Sequence, residues 1–238
     1  MKKLFVTRES ACLQPIRELI EKQKHRTLVL WSIECAERVL PIFEGKYPQD
    51  ERPREAIEAA KAWTRGKIKM PEAKKAAHAT HNAATAVAEE DPAACAAARA
   101  MGHVVGTVHV ETHAIGFVMY AITAFVYAAE QKDADNVIAK KCNWLYDRLL
   151  YWEANIDKVD STWASFLLNN YVPNKEKLLR QKKEQTAIGT ITDRSTFLKT
   201  KEFVDQKKGK NMNKDNVGNL ISSNTQDYVF YRFVNRKG

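Results

Sequence analysis

Histidine is scarce in this chain, and five of its six copies fall between positions 78 and 113. His78 and His81 stand at i,i+3, and His109 and His113 at i,i+4. On one continuous helix, His109 and His113 share a face, a spacing that suits two imidazole nitrogens on one zinc ion. Glu111 lies about 200° around an ideal helix from His109, so it joins them only where the helix is broken. HVETH is not HExxH, and a zinc metalloprotease is not indicated. If the helices bearing the two pairs lie side by side, His78, His81, His103, His109, Glu111 and His113 line one polar pocket. Three readings stand: a metal centre on His109 and His113 with zinc as the ion, a metal-free pocket for a small molecule, and plain structure.

Other chemistry is sparse. There is no G-x-S-x-G elbow, no glycine-rich phosphate loop and no cysteine in an activating context. Catalytic residues are therefore not assigned, and no cofactor is expected beyond that candidate zinc. Glu89-Glu90 reads as a solvated helix end. Glu34, Glu37 and Arg38 read as an ion-pair set, and Trp31 and Trp63 as core anchors. Were the tryptophans half-exposed, they would be binding hot spots, so these five are the candidates for contact with a partner.

The elements that must position these groups read as helix after helix. Apolar residues recur at helical spacing over 15–24 and again over 27–43, where Leu28, Trp31, Cys35, Val39 and Ile42 form one stripe. Asp50-Glu51-Arg52-Pro53 starts the next helix, and Gly66 stops it. Pro71 opens a helix running to residue 90, and Asp91-Pro92 opens another. Gly102 and Gly106 predict a weakening of the chain, so two helices are expected between 92 and 129. HVETH then lies near the junction, with Thr112 as N-cap. Residues 114–129 carry no charge and predict a buried central helix. A long aromatic helix follows over about 133–158, and Ser161 caps a shorter one over 162–171. Alanine dominates 56–100, favouring both helix and close packing.

Residues 114–129 fall short of the roughly 20 apolar residues that span a bilayer, and Glu111 and Glu130 flank them. No membrane segment is expected. Nor does MKKLFVTRES hold the apolar core of a signal peptide. The four cysteines form no CxxC and three sit in apolar helical patterns, as in a reducing, cytoplasmic protein.

The net charge of +9 is uneven. Residues 181–238 hold 12 Lys/Arg against 6 Asp/Glu, and residues 1–180 hold 26 against 23. The tail reads as a basic, polar extension, partly disordered or a small accessory unit, with a helical scrap over 196–205 and a strand over 227–235. It has no nucleic-acid-reading motif, so only nonspecific contacts to nucleic acid follow from it. The fold class is all-α: a single multi-helix bundle over 1–180 with a central apolar helix, and the extension over 181–238.

LWSIECAERVLPIFE, PREAIEAAKAWTRG, AAHATHNAA and GTVHVETHAIGFVMYA occur in that order. They resemble the bacterial immunity-protein family with the immunity-protein-five-like helical domain, over about residues 5–170. The resemblance implies a non-enzymatic, all-helical protein that binds and neutralises a cognate protein toxin. It implies no catalytic residues.

Overall fold

A computed structural model of the protein describes residues 3–168, and these lie within one compact unit. Every regular element among them is helical: α1 Gln14–Lys22, α2 His25–Val39, α3 Pro41–Glu44, α4 Arg52–Thr64, α5 Met70–Ala86, α6 Pro92–His109, α7 His113–Ala128, α8 Ala134–Asn155 and α9 Ser165–Leu168. The expected strand over 227–235, the helical scrap over 196–205 and the boundary at 180/181 lie outside the described residues.

Local chemistry explains several helix ends. The Asp91 carboxylate accepts the Ala94 N–H at 2.9 Å, capping α6 ahead of Pro92. Gly66 takes φ +69° after α4, while Lys67 N–H reaches Ala62 C=O and Gly66 N–H reaches Trp63 C=O, at 2.9 Å each. That pair of bonds is a Schellman ending, which needs a left-handed residue and so favours glycine. The same ending closes α7, with Gln131 N–H on Val126 C=O and Glu130 N–H on Tyr127 C=O. Here, however, the left-handed residue is Glu130, at φ 53°.

Several boundaries differ from expectation. The 27–43 helix divides at Pro41, which has no N–H to donate and opens α3. Phe43, rather than Ile42, is buried there. α5 stops at Ala86, short of 90. Thr112 precedes α7 without a side-chain capping bond, and α9 starts at Ser165 rather than beside Ser161. Gly102 and Gly106 do not break the chain: both lie inside α6.

The core centres on the α6–α7 hairpin. α6 packs against α2, α3, α4, α5 and α7, and α7 against α1, α2, α3 and α8. Ala94, Ala96, Ala97, Ala98 and Ala100 are wholly buried on α6. Methyl-sized side chains let five neighbours approach one helix. Centrality is therefore shared between the apolar α7 and the alanine-rich α6. Trp31 is fully buried, donates its indole N–H to Leu145 C=O at 3.0 Å and meets Phe117 edge-on. Two buried hydroxyls are likewise satisfied by backbone, Thr80 on Ala98 C=O and Thr64 on Ala60 C=O. No described helix is long and apolar enough to cross a membrane.

Candidate functional site

The histidines converge where α5, α6 and α7 meet, and glycines make the room. α6 and α7 run antiparallel across the turn at 110–112, so residues whose numbers sum to 219 face each other. His103 on α6 then faces Gly116 on α7, and His113 on α7 faces Gly106 on α6. A Cβ on Gly116 would lie 2.4 Å from His103 Nδ1, and one on Gly106 would lie 2.7 Å from His113 Cγ. The third ring, His81 of α5, rests on Gly102, where a Cβ would lie 2.4 Å from Nε2. Each imidazole thus occupies the volume of a missing side chain on the next helix. H-x-x-G occurs once on each helix of the hairpin, as His103–Gly106 and His113–Gly116, and this repeat produces the reciprocal fit. It was the available sequence signal for the arrangement, and spacing among the histidines alone does not reveal it.

The rings also touch one another. His103 lies 5.6 Å from His113 and 6.4 Å from His81, centroid to centroid, and stacks on Tyr120 at 5.1 Å. Burial pushes His81 and His113 down to about 4, with the charges of Arg99, His78 and His113 adding to the effect on His81 and that of His109 to the effect on His113. His103 is held well below its usual range, first by burial and then by His113, His81 and Arg99. His78 is lowered by burial and Lys74. At pH 7 these imidazoles are neutral. A base with a pKa of about 4 is a weak proton acceptor there, whereas an efficient general base titrates near the working pH.

His109 and His113 do not share a helical face, because α6 ends at His109 and α7 begins at His113. Val110 is extended, and His113 N–H closes the turn on its carbonyl at 3.1 Å. His109 stacks on Trp63 at 6.0 Å, while His113 faces His103. Burial and the neighbouring His25 lower His109. Among the described residues, no group of three or more His, Cys, Asp and Glu side chains is placed to hold a metal ion. Glu111 sits in the turn, its carbonyl accepting Ala114 N–H. The sixth histidine, His25, donates Nε2–H to Thr107 C=O at 2.6 Å and ties α2 to the last turns of α6. Lying far from the others in sequence, it had no spacing to mark it.

The five candidate partner residues separate. Trp31 offers no surface. Trp63 is 7% exposed and packs on His109 and Phe166. Glu34, Glu37 and Arg38 do not form one ion-pair set on α2. Glu34 turns to α8, accepting Arg148 at 2.8 Å and the Trp152 indole N–H. Glu37 turns to Lys61 of α4 at 2.7 Å, and Arg38 is exposed. A residue that sequence reasoning passed over lies next to Arg148 and Trp152, the partners of Glu34: Tyr151 is 47% exposed on α8. The Arg148 guanidinium lies 4.1 Å above the Tyr151 ring, and Trp152 meets Tyr151 edge-on.

Comparison with curated proteins and with solved structures finds no match. A family model described as "Imm-5 like putative immunity protein" matches residues 18–148, a narrower span than 5–170. That span covers the hairpin, all six histidines and the α2 carboxylates. Because the match takes in more than half of the chain, the protein belongs to the Imm-5 like immunity protein family.

Proposed function

We propose that the protein neutralises a protein toxin by binding it, without catalysis, and that the toxin docks on the outer face of α8 around Tyr151. Family membership supports the first part. The observation that carries the second is the aromatic and basic patch of Arg148, Tyr151 and Trp152. Tyrosine, tryptophan and arginine are the side chains that most often dominate protein interfaces. Here Glu34 holds Arg148 and Trp152 in place, so little side-chain freedom is lost on docking. Imidazoles kept neutral and packed on glycines support a structural role for the histidine cluster.

Co-expression with the protein encoded beside its gene, first checked for toxicity when expressed alone, tests both parts. Wild-type protein restores growth. Tyr151→Ala, with unchanged helicity and melting temperature, weakens toxin binding by about tenfold or more, as removal of a hot spot does. Failure of folded wild-type protein to protect cells contradicts toxin neutralisation. Unchanged binding by Tyr151→Ala contradicts the assignment of the surface alone.

A further inference from the structure

Arg99 stands apart from the other half-buried arginines. Arg17 donates to Arg8 C=O, Arg26 pairs with Asp157, Arg52 with Asp50 and Arg148 with Glu34. Arg99 is half-buried too, but among the described residues no carboxylate pairs with it, and its Nε, closed off from solvent, has no hydrogen-bond partner. The Nε atoms of Arg26 and Arg148 lack a partner as well, yet those guanidiniums are neutralised by a carboxylate. A half-buried cation and a buried N–H donor are both costly to leave without an acceptor, and together they call for an occupant.

The helix register fixes where that occupant would sit. Arg99 and His103 stand at i,i+4 on α6, one turn apart on one face. Gly102, on which the His81 ring of α5 rests, follows Arg99 by three positions on the same side. Across the hairpin, the sum of 219 puts Arg99 opposite Tyr120, whose ring stacks on His103 at 5.1 Å. Arg99 therefore lies on the α6 floor of a groove flanked by α5 and α7, and its charge acts on both His81 and His103. His81, Arg99, His103, His113 and Tyr120 are each half-buried, so solvent reaches this face. The acidic residues of the same segment stand off: Asp91 is about two helical turns away, capping Ala94, and Glu111 lies in the turn beyond the other end of α6.

We propose that Arg99 anchors a binding site for a small oxyanion, a phosphate or a carboxylate, in the groove between α5 and α7. The planar guanidinium offers parallel N–H donors that match two oxygens of one such anion. The imidazoles around it are neutral at pH 7, so each carries one N–H donor and none brings a negative charge against the ligand. An anion here neutralises Arg99 as Glu34 neutralises Arg148. The site is on α6, apart from the Tyr151 patch, and does not rest on the docking of a toxin there.

The test footprints the arginines of the full chain with phenylglyoxal, which forms an adduct with the guanidinium. Wild-type protein is labelled at neutral pH in rising inorganic phosphate, with chloride adjusted to hold ionic strength constant, and mapped by proteolysis and mass spectrometry. Arg99 is expected to be protected saturably, its labelling falling to about one tenth at phosphate tenfold above half-protection. The exposed Arg38 and Arg65 keep their labelling. A parallel series in acetate separates the sources: protection by acetate admits carboxylates to the site, and protection by phosphate alone restricts it to phosphates. Phosphate also raises the melting temperature of the wild type, and Arg99→Gln loses that rise. No protection of Arg99 by either anion, equal protection of Arg38 and Arg65, or a rise kept in full by Arg99→Gln would each overturn the proposal. Should Arg99→Gln fail to fold, the wild-type footprint decides alone.

Discussion

Replacing Gly116 with alanine separates packing from helix propensity, because the two push in opposite directions. In an unobstructed helix the change stabilises by up to about 1 kcal/mol. Here the new methyl would lie 2.4 Å from His103 Nδ1 and 2.5 Å from Cε1. Carbon and nitrogen atoms in contact sit at about 3.5–4.0 Å, so the ring must retreat by about 1 Å. It has little room, with Tyr120 at 5.1 Å and His113 at 5.6 Å between ring centroids. Overpacking of this kind costs about 1–3 kcal/mol, which cancels or outweighs the propensity gain. In a His103→Ala background the obstruction is gone, and Gly116→Ala is expected to stabilise. Urea unfolding of the four proteins in the cycle, read by circular dichroism, gives the coupling energy directly. The expected coupling is about 1–3 kcal/mol, with the two changes opposed in effect. If Gly116→Ala stabilises equally in both backgrounds, His103 does not fill the space over Gly116 and the reciprocal hairpin fit is wrong.

Acid sensitivity follows from the same cluster. The folded-state pKa values of His81 and His113 lie near 4, below the 6.5 of a free imidazole, so the unfolded chain binds protons more readily. Their contribution is therefore fully present above pH 6.5 and is lost as pH falls toward 4. Linkage gives a loss of about 2 kcal/mol for each ring between pH 8 and pH 5. Urea midpoints at those two pH values check it, and equal stability would contradict the burial of the rings. Glu130→Gly should stabilise by about 1 kcal/mol in thermal unfolding, since glycine takes φ 53° without steric cost; a lower melting temperature would oppose the Schellman assignment. Asp91→Ala should cost about 1 kcal/mol through loss of the bond to Ala94 N–H, and no change would mean that α6 is capped otherwise.

Much of the fold is legible from local chemistry. Asp91-Pro92 and Gly66 mark helix ends because their bonds and dihedral needs are local, and the uncharged run before Glu130 marks a buried helix. Gly102 and Gly106 mislead for the opposite reason. A glycine costs a helix about 1 kcal/mol, which reads as a break, but rings from α5 and α7 occupy the vacated space. The i,i+4 pair of His109 and His113 fails because the helix stops between them. Glu34 and Glu37 are close in sequence, yet one faces α8 and the other α4, and only tertiary placement decides which cation each meets. The α8 patch is not legible in the sequence because Tyr151 and Trp152 look like ordinary core residues of an aromatic helix.

Whether this chain binds a toxin through α8 is decided by calorimetric titration with the purified product of the neighbouring gene, once that product is shown to be toxic on its own. A saturable complex is expected for the wild type, with a dissociation constant raised about tenfold or more by Tyr151→Ala. No heat of binding with a folded wild-type protein and an active toxin would contradict it.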